Sequence, residues 1–251
     1  NTSAMASFGP KPGKKKTKKS KDPPRSIFPG DIVDLKGKPA RLGNGVIPDG
    51  TTNIISTRYG ILKRTQNRVW VDNYQKRYIA SAGDWVIGVI VEKHTENFKV
   101  DIGEVHPAIL PSLSFEGATK RNRPNLDVGT LMYCMVVMAN KHMETELSCI
   151  SPYVKKEWVT GQGLYGQLKD GYAFECPLRL SRSLTNPKCF VLNCLGELLK
   201  FEVAVGLNGK VWVNSGSEIE TILITNAILN SEFMNDAQTE NMIQLLVQRA
   251  S

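Results

Sequence analysis

The stretch "GDWVIGVIVEK" (residues 83–93) has the pattern of a β-strand and is the first of five similar stretches. Its apolar residues alternate between two faces, with Val86 and Ile90 on one and Trp85, Ile87, Val89 and Val91 on the other. Such alternation is typical of a strand, because successive side chains point to opposite sides of the backbone. The stretch therefore predicts a strand that opens a β-rich unit.

Four further strand-like stretches follow in the next sixty residues or so of the chain. They are "NFKVDIG" (97–103), "HPAILPSLS" (106–114), "GTLMYCMVVMA" (129–139) and "ETELSCIS" (144–151). The connection between the third and fourth strands is the long one. Five strands in this arrangement predict an OB-type barrel over residues 79–151.

The long connection, "SFEGATKRNRPNLDVG" (114–129), has three cations within four positions: Lys120, Arg121 and Arg123. Cations in a loop are often merely solvated. The long loops of OB barrels, however, commonly hold ligands, and arginine suits bidentate contacts to phosphate or carboxylate. Pro124 restricts Arg123 to extended geometry and stiffens the cluster. We expect the three side chains to face either phosphates or an acidic protein partner, and the residues leave both open.

Most of the net charge of +8 belongs to the N-terminal tail. Residues 1–25 contain seven Lys, one Arg and one Asp, so the other 226 residues carry only +1. A segment this charged and poor in apolar residues is predicted to be disordered. The segment is compatible with a nuclear-import signal, a nonspecific nucleic-acid-binding arm or a solubilising tail. Its first four residues, "NTSA", resemble residues left over from an expression tag.

Composition and motifs exclude several classes of protein. No apolar stretch is long enough to span a membrane and no secretory signal is visible, so we expect a soluble intracellular protein with no membrane partner.

The five cysteines lack C-x-x-C spacing and are predicted to be buried free thiols. They are Cys134, Cys149, Cys176, Cys189 and Cys194. "DIGEVH" (101–106) lacks the second carboxylate cluster of a two-metal site. No catalytic motif is present, and we expect no enzyme activity, metal or cofactor.

Residues 26–78 contain short β-like stretches separated by turn residues. Examples are "LGNGVIPDG" (42–50) and the hairpin-like pair "NIISTRYGILK" (53–63) and "RVWVD" (68–72). They predict a small N-terminal β domain, which is of a size that needs a neighbour to pack against.

Residues 161–251 combine strands and helices. "GYAFECPL" (171–178) is strand-like, "RLSRSLTNPKCFVLNCLGELL" (179–199) predicts two helices broken near Asn186-Pro187, and "KFEVAVGLNGKVWVNS" (200–215) predicts a hairpin. A helix over 217–234 and a short one over 236–250 follow. In the first of these, Ser217 is the expected N-cap. The expected buried face consists of Ile219, Ile222, Leu223 and Asn226, widened by Ile224 and Ile228.

The order β-α-α-β-β-α resembles a KH domain. KH domains hold single-stranded backbone with a G-x-x-G loop between their first two helices, but this chain has "LTNPK" (184–188) there, without glycine. The "GLNG" at 206–209 lies between two strands instead. We interpret Gly206, Asn208 and Gly209, with Trp212, as a structural hairpin turn. "GQGLYG" (161–166) is interpreted as a linker, because a strand follows it.

The barrel resembles the S-one class of RNA-binding barrels. The matching elements are Gly83-Asp84, Gly88, the end of the "FKVDIG" strand and Val128-Gly129. That class stacks bases on aromatic side chains supported by cations. Here the second strand has Phe98 as its aromatic residue, which favours the loop cations over stacking.

The three units in this order resemble the cap subunits of the eukaryotic RNA exosome, over Ile27 to about Met234. The resemblance rests on "IFPGD" (27–31), "QKRYI" (75–79), "SFEGATKRNRP" (114–124) and "VGLNGKVWV" (205–213). The fold class is therefore mixed: a small N-terminal β domain, a five-stranded OB-type barrel of the S-one class, and an α+β KH domain.

The same resemblance carries expectations about function. It implies a non-catalytic subunit that braces a ring of RNase-PH-like proteins, contacts other cap subunits and leads single-stranded RNA towards a separate 3′→5′ exoribonuclease. The N-terminal domain would dock on the ring and the barrel would face the pore, in the nucleus, the nucleolus and the cytoplasm. Two alternatives stay open: a scaffold without RNA contacts, and a free-standing RNA-binding regulator driven by the tail.

Overall fold

The computed structural model describes residues 25–34, 40–50, 53–65, 67–140, 142–151 and 165–250. The described chain forms two compact units, one within residues 12–75 and one that includes residues 76–251. The basic tail, apart from Arg25, and positions 161–164 of the expected linker lie outside the described residues.

The described residues of the N-terminal unit form six short strands. They are β1 (Arg25–Ile27), β2 (Arg41–Leu42), β3 (Val46–Pro48), β4 (Ile54–Ser56), β5 (Gly60–Arg64) and β6 (Arg68–Asp72). β1, β5, β6 and β2 form one sheet in that order, and β3 pairs with β4. The expected hairpin is the antiparallel β5–β6 pair. A small core holds the unit together: Ile27, Val33, Val46, Ile54, Val69 and Val71.

The second unit begins with a closed barrel. Its strands are β7 (Trp85–Lys93), β8 (Asn97–Asp101), β9 (Ala108–Pro111), β10 (Leu131–Asn140) and β11 (Met143–Ser148). They are ordered β11-β9-β8-β7-β10, and β10 also pairs with β11, which closes the ring. The prediction of a five-stranded OB-type barrel is confirmed. A short strand, β12 (Gly166–Gln167), pairs with the first half of β10.

The rest of the second unit has the predicted KH elements. They are β13 (Tyr172–Glu175), α1 (Leu178–Leu184), α2 (Phe190–Leu198), β14 (Phe201–Val205), β15 (Lys210–Ser215), α3 (Glu218–Asn230) and α4 (Asp236–Ala250). A short 3-10 helix, Ser231–Phe233, follows α3. The sheet has the order β13-β15-β14 and packs against the helices, so the KH prediction is confirmed.

The prediction for the buried face of α3 is only partly correct: Leu223, Ile224 and Ile228 are buried as expected, but the other three residues are not. Ile219 and Ile222 are 63% and 59% exposed, and Asn226 is exposed as well. Apart from Leu223, the core side is formed by Thr221, Ile224, Thr225, Ala227 and Ile228. The threonines can turn inward because their hydroxyls donate to carbonyls four residues earlier, so that no polar group is left unpaired.

The N-cap of α3 is at the expected residue but works through its backbone. Ser217 accepts hydrogen bonds at its carbonyl oxygen from the amide and the hydroxyl of Thr221, both at 3.0 Å. Its side chain makes no capping hydrogen bond with the described residues.

All five cysteines are free thiols, as expected, but only Cys134, Cys149 and Cys189 are buried; Cys176 and Cys194 are partly exposed, contrary to the prediction. Cys134 and Cys149 are buried side by side on β10 and just after β11, with their sulfurs 3.4 Å apart. Burial raises the pKa of the Cys149 thiol, because the charged thiolate would lose its hydration.

Among the described helices, none is both long and apolar enough to cross a membrane.

Candidate nucleic-acid interface

The connection between β9 and β10, residues 112–130, carries the predicted cations and is called the cationic loop here. Three apolar residues attach it to the barrel: Phe115, Pro124 and Leu126 are all buried. Phe115 also forms a β-bridge with Cys149. The loop therefore has a fixed base on the barrel wall, although it is long.

The tip of the cationic loop is a tight turn. The Thr119 amide donates to the Asn122 carbonyl at 3.0 Å, and the Asn122 amide donates back to the Thr119 carbonyl at 3.1 Å. The Thr119 hydroxyl accepts a further bond from the Asn122 amide. Lys120 and Arg121 occupy the two positions between them and are exposed. The turn thus presents two adjacent cations to solvent.

Arg123 is placed differently from its two neighbours. It is half-buried, and its Nη1 donates to the carbonyl of Thr95 in the β7–β8 turn at 3.1 Å. Lys93, at the end of β7, donates to the side chain of Asn125 at 2.6 Å. Both contacts brace the cationic loop against the β7–β8 turn. Part of the Arg123 guanidinium is therefore engaged in holding the loop.

The cationic loop is a local exception on an acidic background. Residues 79–151 contain six Lys and Arg against nine Asp and Glu, a formal charge of −3. Within the described chain, neither Lys120 nor Arg121 forms an ion pair. Two uncompensated cations on an acidic barrel would attract an anionic ligand to this loop rather than to the barrel as a whole.

The second strand of the barrel offers no platform for a base. Phe98, its aromatic residue, is 3% exposed and belongs to the barrel core. Nucleotide bases stack on aromatic faces only where the ring is accessible. On this side of the barrel, contacts to a nucleic acid would therefore run through charge and not through stacking.

The "GLNG" segment forms the turn between β14 and β15. The Gly206 amide donates to the Lys210 carbonyl at 2.9 Å, and the Gly209 amide donates to the Gly206 carbonyl at 3.1 Å. Gly209 has φ +81°, a left-handed conformation that glycine adopts without strain. The amides of Gly206 and Gly209 are thus occupied within the hairpin and point at no ligand.

Asn208 joins this turn to the barrel, a role that the sequence analysis missed. Its side chain is buried; Nδ2 donates to the carbonyls of Ile87 and Ile102 at 2.7 and 2.9 Å, and Oδ1 accepts from the Ile87 amide at 3.3 Å. The Leu207 amide adds a bond to the Trp85 carbonyl. The only sequence signal was an asparagine at a hairpin turn, which does not reveal a partner more than a hundred residues away.

Trp212 continues this contact on the next strand. Its ring is buried in a cluster with Ile87 and Ala204, and its Nε1 donates to the carbonyl of Asp170 at 2.8 Å. Because Ile87 belongs to β7 and Ala204 to β14, the cluster spans the barrel and the KH sheet. The four residues predicted as a structural turn therefore lie at the junction of these two domains.

The α1–α2 connection cannot serve as a phosphate clamp. Such clamps need free backbone amides at their tip. Here the amides of Asn186 and Cys189 donate to the carbonyls of Ser183 and Asn186, and that of Lys188 donates to the Asn186 side chain. Pro187 has no amide hydrogen. These donors are satisfied inside the loop.

The described residues contain no group of three or more His, Cys, Asp and Glu side chains that could hold a metal ion. Glu104 of the "DIGEVH" stretch accepts hydrogen bonds from the Thr145 hydroxyl at 2.9 Å and from the Ala80 amide at 3.3 Å. Its carboxylate is thereby committed to the barrel.

Comparison with known proteins agrees with this architecture. Residues 78–161 match the family model for the S1 domain of exosome complex component RRP40, and residues 171–219 match a KH domain model. A crystal structure described as an exosome complex RNA-binding protein aligns with a TM-score of 0.55 at 22% identity, over 68% of this chain and 96% of that one. At this identity the match shows the fold alone.

Curated relatives are similar over most of this chain. A provisionally named component rrp40 of Dictyostelium discoideum is 44% identical over 223 residues, 86% of this chain and 90% of that protein. Exosome complex component rrp40 of Schizosaccharomyces pombe is 40% identical over 221 residues, 86% and 89% of the two chains. RRP40 of Homo sapiens is 41% identical over 179 residues, 71% of this chain and 63% of the human one.

Proposed function

Because the chain belongs to the family of exosome complex component RRP40, we propose that it guides single-stranded RNA within that assembly through the cationic loop. It is a non-catalytic, RNA-binding cap subunit of the exosome. Its contribution is to hold and direct the RNA, while a different subunit breaks the phosphodiester bonds. The RNA-directing step uses Lys120 and Arg121, supported by Arg123.

The tip of the cationic loop is the observation that carries this proposal. Lys120 and Arg121 project from a hydrogen-bonded turn on a base fixed by buried side chains. Two cations on a backbone that is already ordered lose less conformational entropy on binding phosphates than two cations on a flexible loop would lose. The absence of stacking aromatics on the adjacent strand suits a subunit that passes RNA along without reading its sequence.

The proposal includes the partners and the location. The N-terminal unit would dock on the RNase-PH-like ring, and the chain would contact the other cap subunits, in the nucleus, the nucleolus and the cytoplasm. One observation supports docking: Phe28 and Tyr59 form an exposed aromatic pair, with ring centroids 5.1 Å apart, and Ile32 is exposed as well. Exposed aromatic and apolar side chains are typical of protein interfaces.

The test measures RNA affinity against salt for the full chain, with a labelled single-stranded oligouridylate. Replacing Lys120, Arg121 and Arg123 by glutamine should make the log–log salt slope shallower by up to about 2, since each lost phosphate contact on a single strand contributes about 0.7. The matched control replaces three exposed cations of the KH domain, Lys169, Arg179 and Lys200. It should leave the slope unchanged.

Three outcomes would contradict the proposal. An unchanged slope in the loop variant would move the cations to a protein contact. A complete lack of ultraviolet crosslinks between this chain and RNA in the loaded assembly would leave a pure scaffold. If deletion of residues 1–25 alone abolished RNA binding by the isolated chain, the tail would be the binding element and the protein an RNA-binding regulator.

A further inference from the structure

The N-terminal sheet has a solvent-facing side on which an indole lies among cations. In the β5–β6 ladder Lys63 is directly opposite Trp70, and in the β2–β6 ladder Arg41 is directly opposite Arg68. Arg68 and Trp70 are two residues apart on β6 and so share a face, while Val69 and Val71 point into the core. We call Arg41, Arg68 and Trp70 the Trp70 face.

The two arginines of this face have no counter-charge within the described part of the chain. Lys63 is neutralised by Asp72, with Nζ 2.5 Å from Oδ2. Among the described residues, no carboxylate forms an ion pair with Arg41 or Arg68, and both are exposed. Like charges placed directly opposite each other on neighbouring strands destabilise a sheet. A bound anion would turn this unfavourable pair into a favourable one.

The surface beside Trp70 is kept open by a glycine. A Cβ on Gly43 would lie 2.8 Å from Trp70 Cβ, which is closer than Cβ atoms approach other atoms, and 3.2 Å from Arg68 Nε, which is a tight contact. Arg68 itself lies beside the indole, with Cζ 6.0 Å from the ring centroid, at the outer limit of a cation–π contact. Any larger residue at position 43 would push both side chains away from their present places.

The charge distribution along the chain selects an anionic ligand for this unit. Residues 26–75 contain seven Lys and Arg against four Asp, a formal charge of +3, whereas residues 76–251 contain 17 Lys and Arg against 19 Asp and Glu, or −2. The positive charge of the folded chain is therefore concentrated in the N-terminal unit. It favours a polyanion there through long-range attraction.

We propose that the Trp70 face binds single-stranded RNA, as a contact separate from the cationic loop. An aromatic ring beside Arg68, with Arg41 opposite Arg68 on the next strand, combines a surface for stacking a base with donors for neighbouring phosphates. Single strands are held in this way without sequence preference. An acidic peptide would use the arginines but gain less from the indole. The choice of RNA as the polyanion rests on the proposed function; the site itself does not.

The test uses the full chain and the same labelled oligouridylate. Replacing Arg41 and Arg68 by glutamine should make the salt slope shallower by about 1.4, which corresponds to two phosphate contacts on a single strand. Trp70→Ala should weaken binding by about 5- to 160-fold, the range for one stacked base, and Trp70→Phe should keep most of the affinity. Thermal unfolding of each variant shows whether the N-terminal unit is still folded.

Arg25→Gln is the matched control for Arg68→Gln. Arg25 is exposed on β1, at the opposite edge of the same sheet, and its pairing with Leu62 places it on the other face. It should leave the salt slope unchanged. Equal effects of the two single variants would overturn the proposal, because only the net charge of the unit would then matter.

Footprinting separates an RNA site from a protein interface, and the choice of variants separates this site from the cationic loop. If hydroxyl-radical footprinting finds the Trp70 face protected in the RNA-free assembly, the face is a protein interface and the proposal fails. Each site is also tested in a background in which the other is intact. The Arg41/Arg68 variant therefore keeps its diagnostic value when the cationic loop proves not to touch RNA, and the reverse holds as well.

Discussion

The side chain of Asn208 pairs with the backbone of Ile87 in both directions: it accepts from the amide at 3.3 Å and donates to the carbonyl at 2.7 Å. Asn208→Ala would leave three buried backbone groups without partners, including the Ile102 carbonyl. We expect the free energy of unfolding of the barrel–KH unit to fall by at least about 3 kcal/mol, because each of the three unpaired buried groups costs about 1–3 kcal/mol. Chemical denaturation measures this. Asn226→Ala, at an exposed position on α3, should stay within about 0.5 kcal/mol.

Two glycines should respond in opposite ways to alanine. At Gly206 a Cβ would overlap Asn208 Oδ1 and would lie 2.8 Å from the Ile87 amide nitrogen, so Gly206→Ala should destabilise the protein by more than about 1 kcal/mol. At Gly196, inside α2, a Cβ meets no atom within 4 Å, and alanine should stabilise the helix by about 0.5–1 kcal/mol. Thermal unfolding of both variants checks the signs, and equal shifts would contradict the geometry of the turn.

The three loop cations should separate in a stability measurement. Arg123→Gln removes the bond to the Thr95 carbonyl and should lower the free energy of unfolding by about 1 kcal/mol. Lys120→Gln and Arg121→Gln should change it by less than about 0.5 kcal/mol, because both side chains are exposed and make no described ion pair. If all three variants are equally stable, Arg123 does not brace the loop.

The thiols should differ in reactivity under native conditions. Burial raises the pKa of Cys176 to about 11, so its thiolate is scarce at neutral pH and its alkylation should speed up as the pH approaches that value. Cys134 and Cys149 are fully enclosed and should react only after unfolding. Cys194, which is partly exposed, should be modified first. Iodoacetamide labelling followed by mass spectrometry gives the order, and early modification of Cys149 would contradict it.

Tyr78 should make the protein sensitive to alkali. Burial, together with the charge of Asp84, raises the pKa of this phenol above its usual 10.0. Above about pH 10 the tyrosine of the unfolded chain ionises while the native one stays protonated, so stability falls as the pH rises. Tyr78→Phe should flatten that decline, although it loses the hydrogen bond to Asp84. Tyr74→Phe, at a position 72% exposed, should leave the decline unchanged.

The barrel could be predicted from the sequence because its strands carry a strong local signal. Alternating apolar residues define β7, and a long polar connection separates β9 from β10. The buried face of α3 could not be predicted in the same way. Apolar residues surround that helix, so periodicity does not choose a side, and the buried Thr221 and Thr225 look polar in sequence. Their hydroxyls find partners within the helix itself, which local pattern analysis does not weigh.

The candidate site was predicted in part for a related reason. Lys120 and Arg121 stand out in sequence because charge is visible there, and their exposure follows from a turn of four residues. The contact of Arg123 with Thr95 and that of Asn208 with Ile87 depend on residues 28 and 121 positions away. Such contacts arise only once the strands are paired, so a single sequence gives no warning of them.

The pairing of β12 with β10 has a practical consequence for dissecting the molecule. The amide of Leu168 donates to Leu131, and Gly166 and Gln167 face Tyr133 and Met132 across the ladder. A recombinant fragment that ended at Ser151 would lack β12 and would leave this edge of β10 unpaired. Unpaired strand edges can pair with other chains and cause aggregation. Anyone wishing to isolate a well-behaved barrel should carry the polypeptide through at least Leu168.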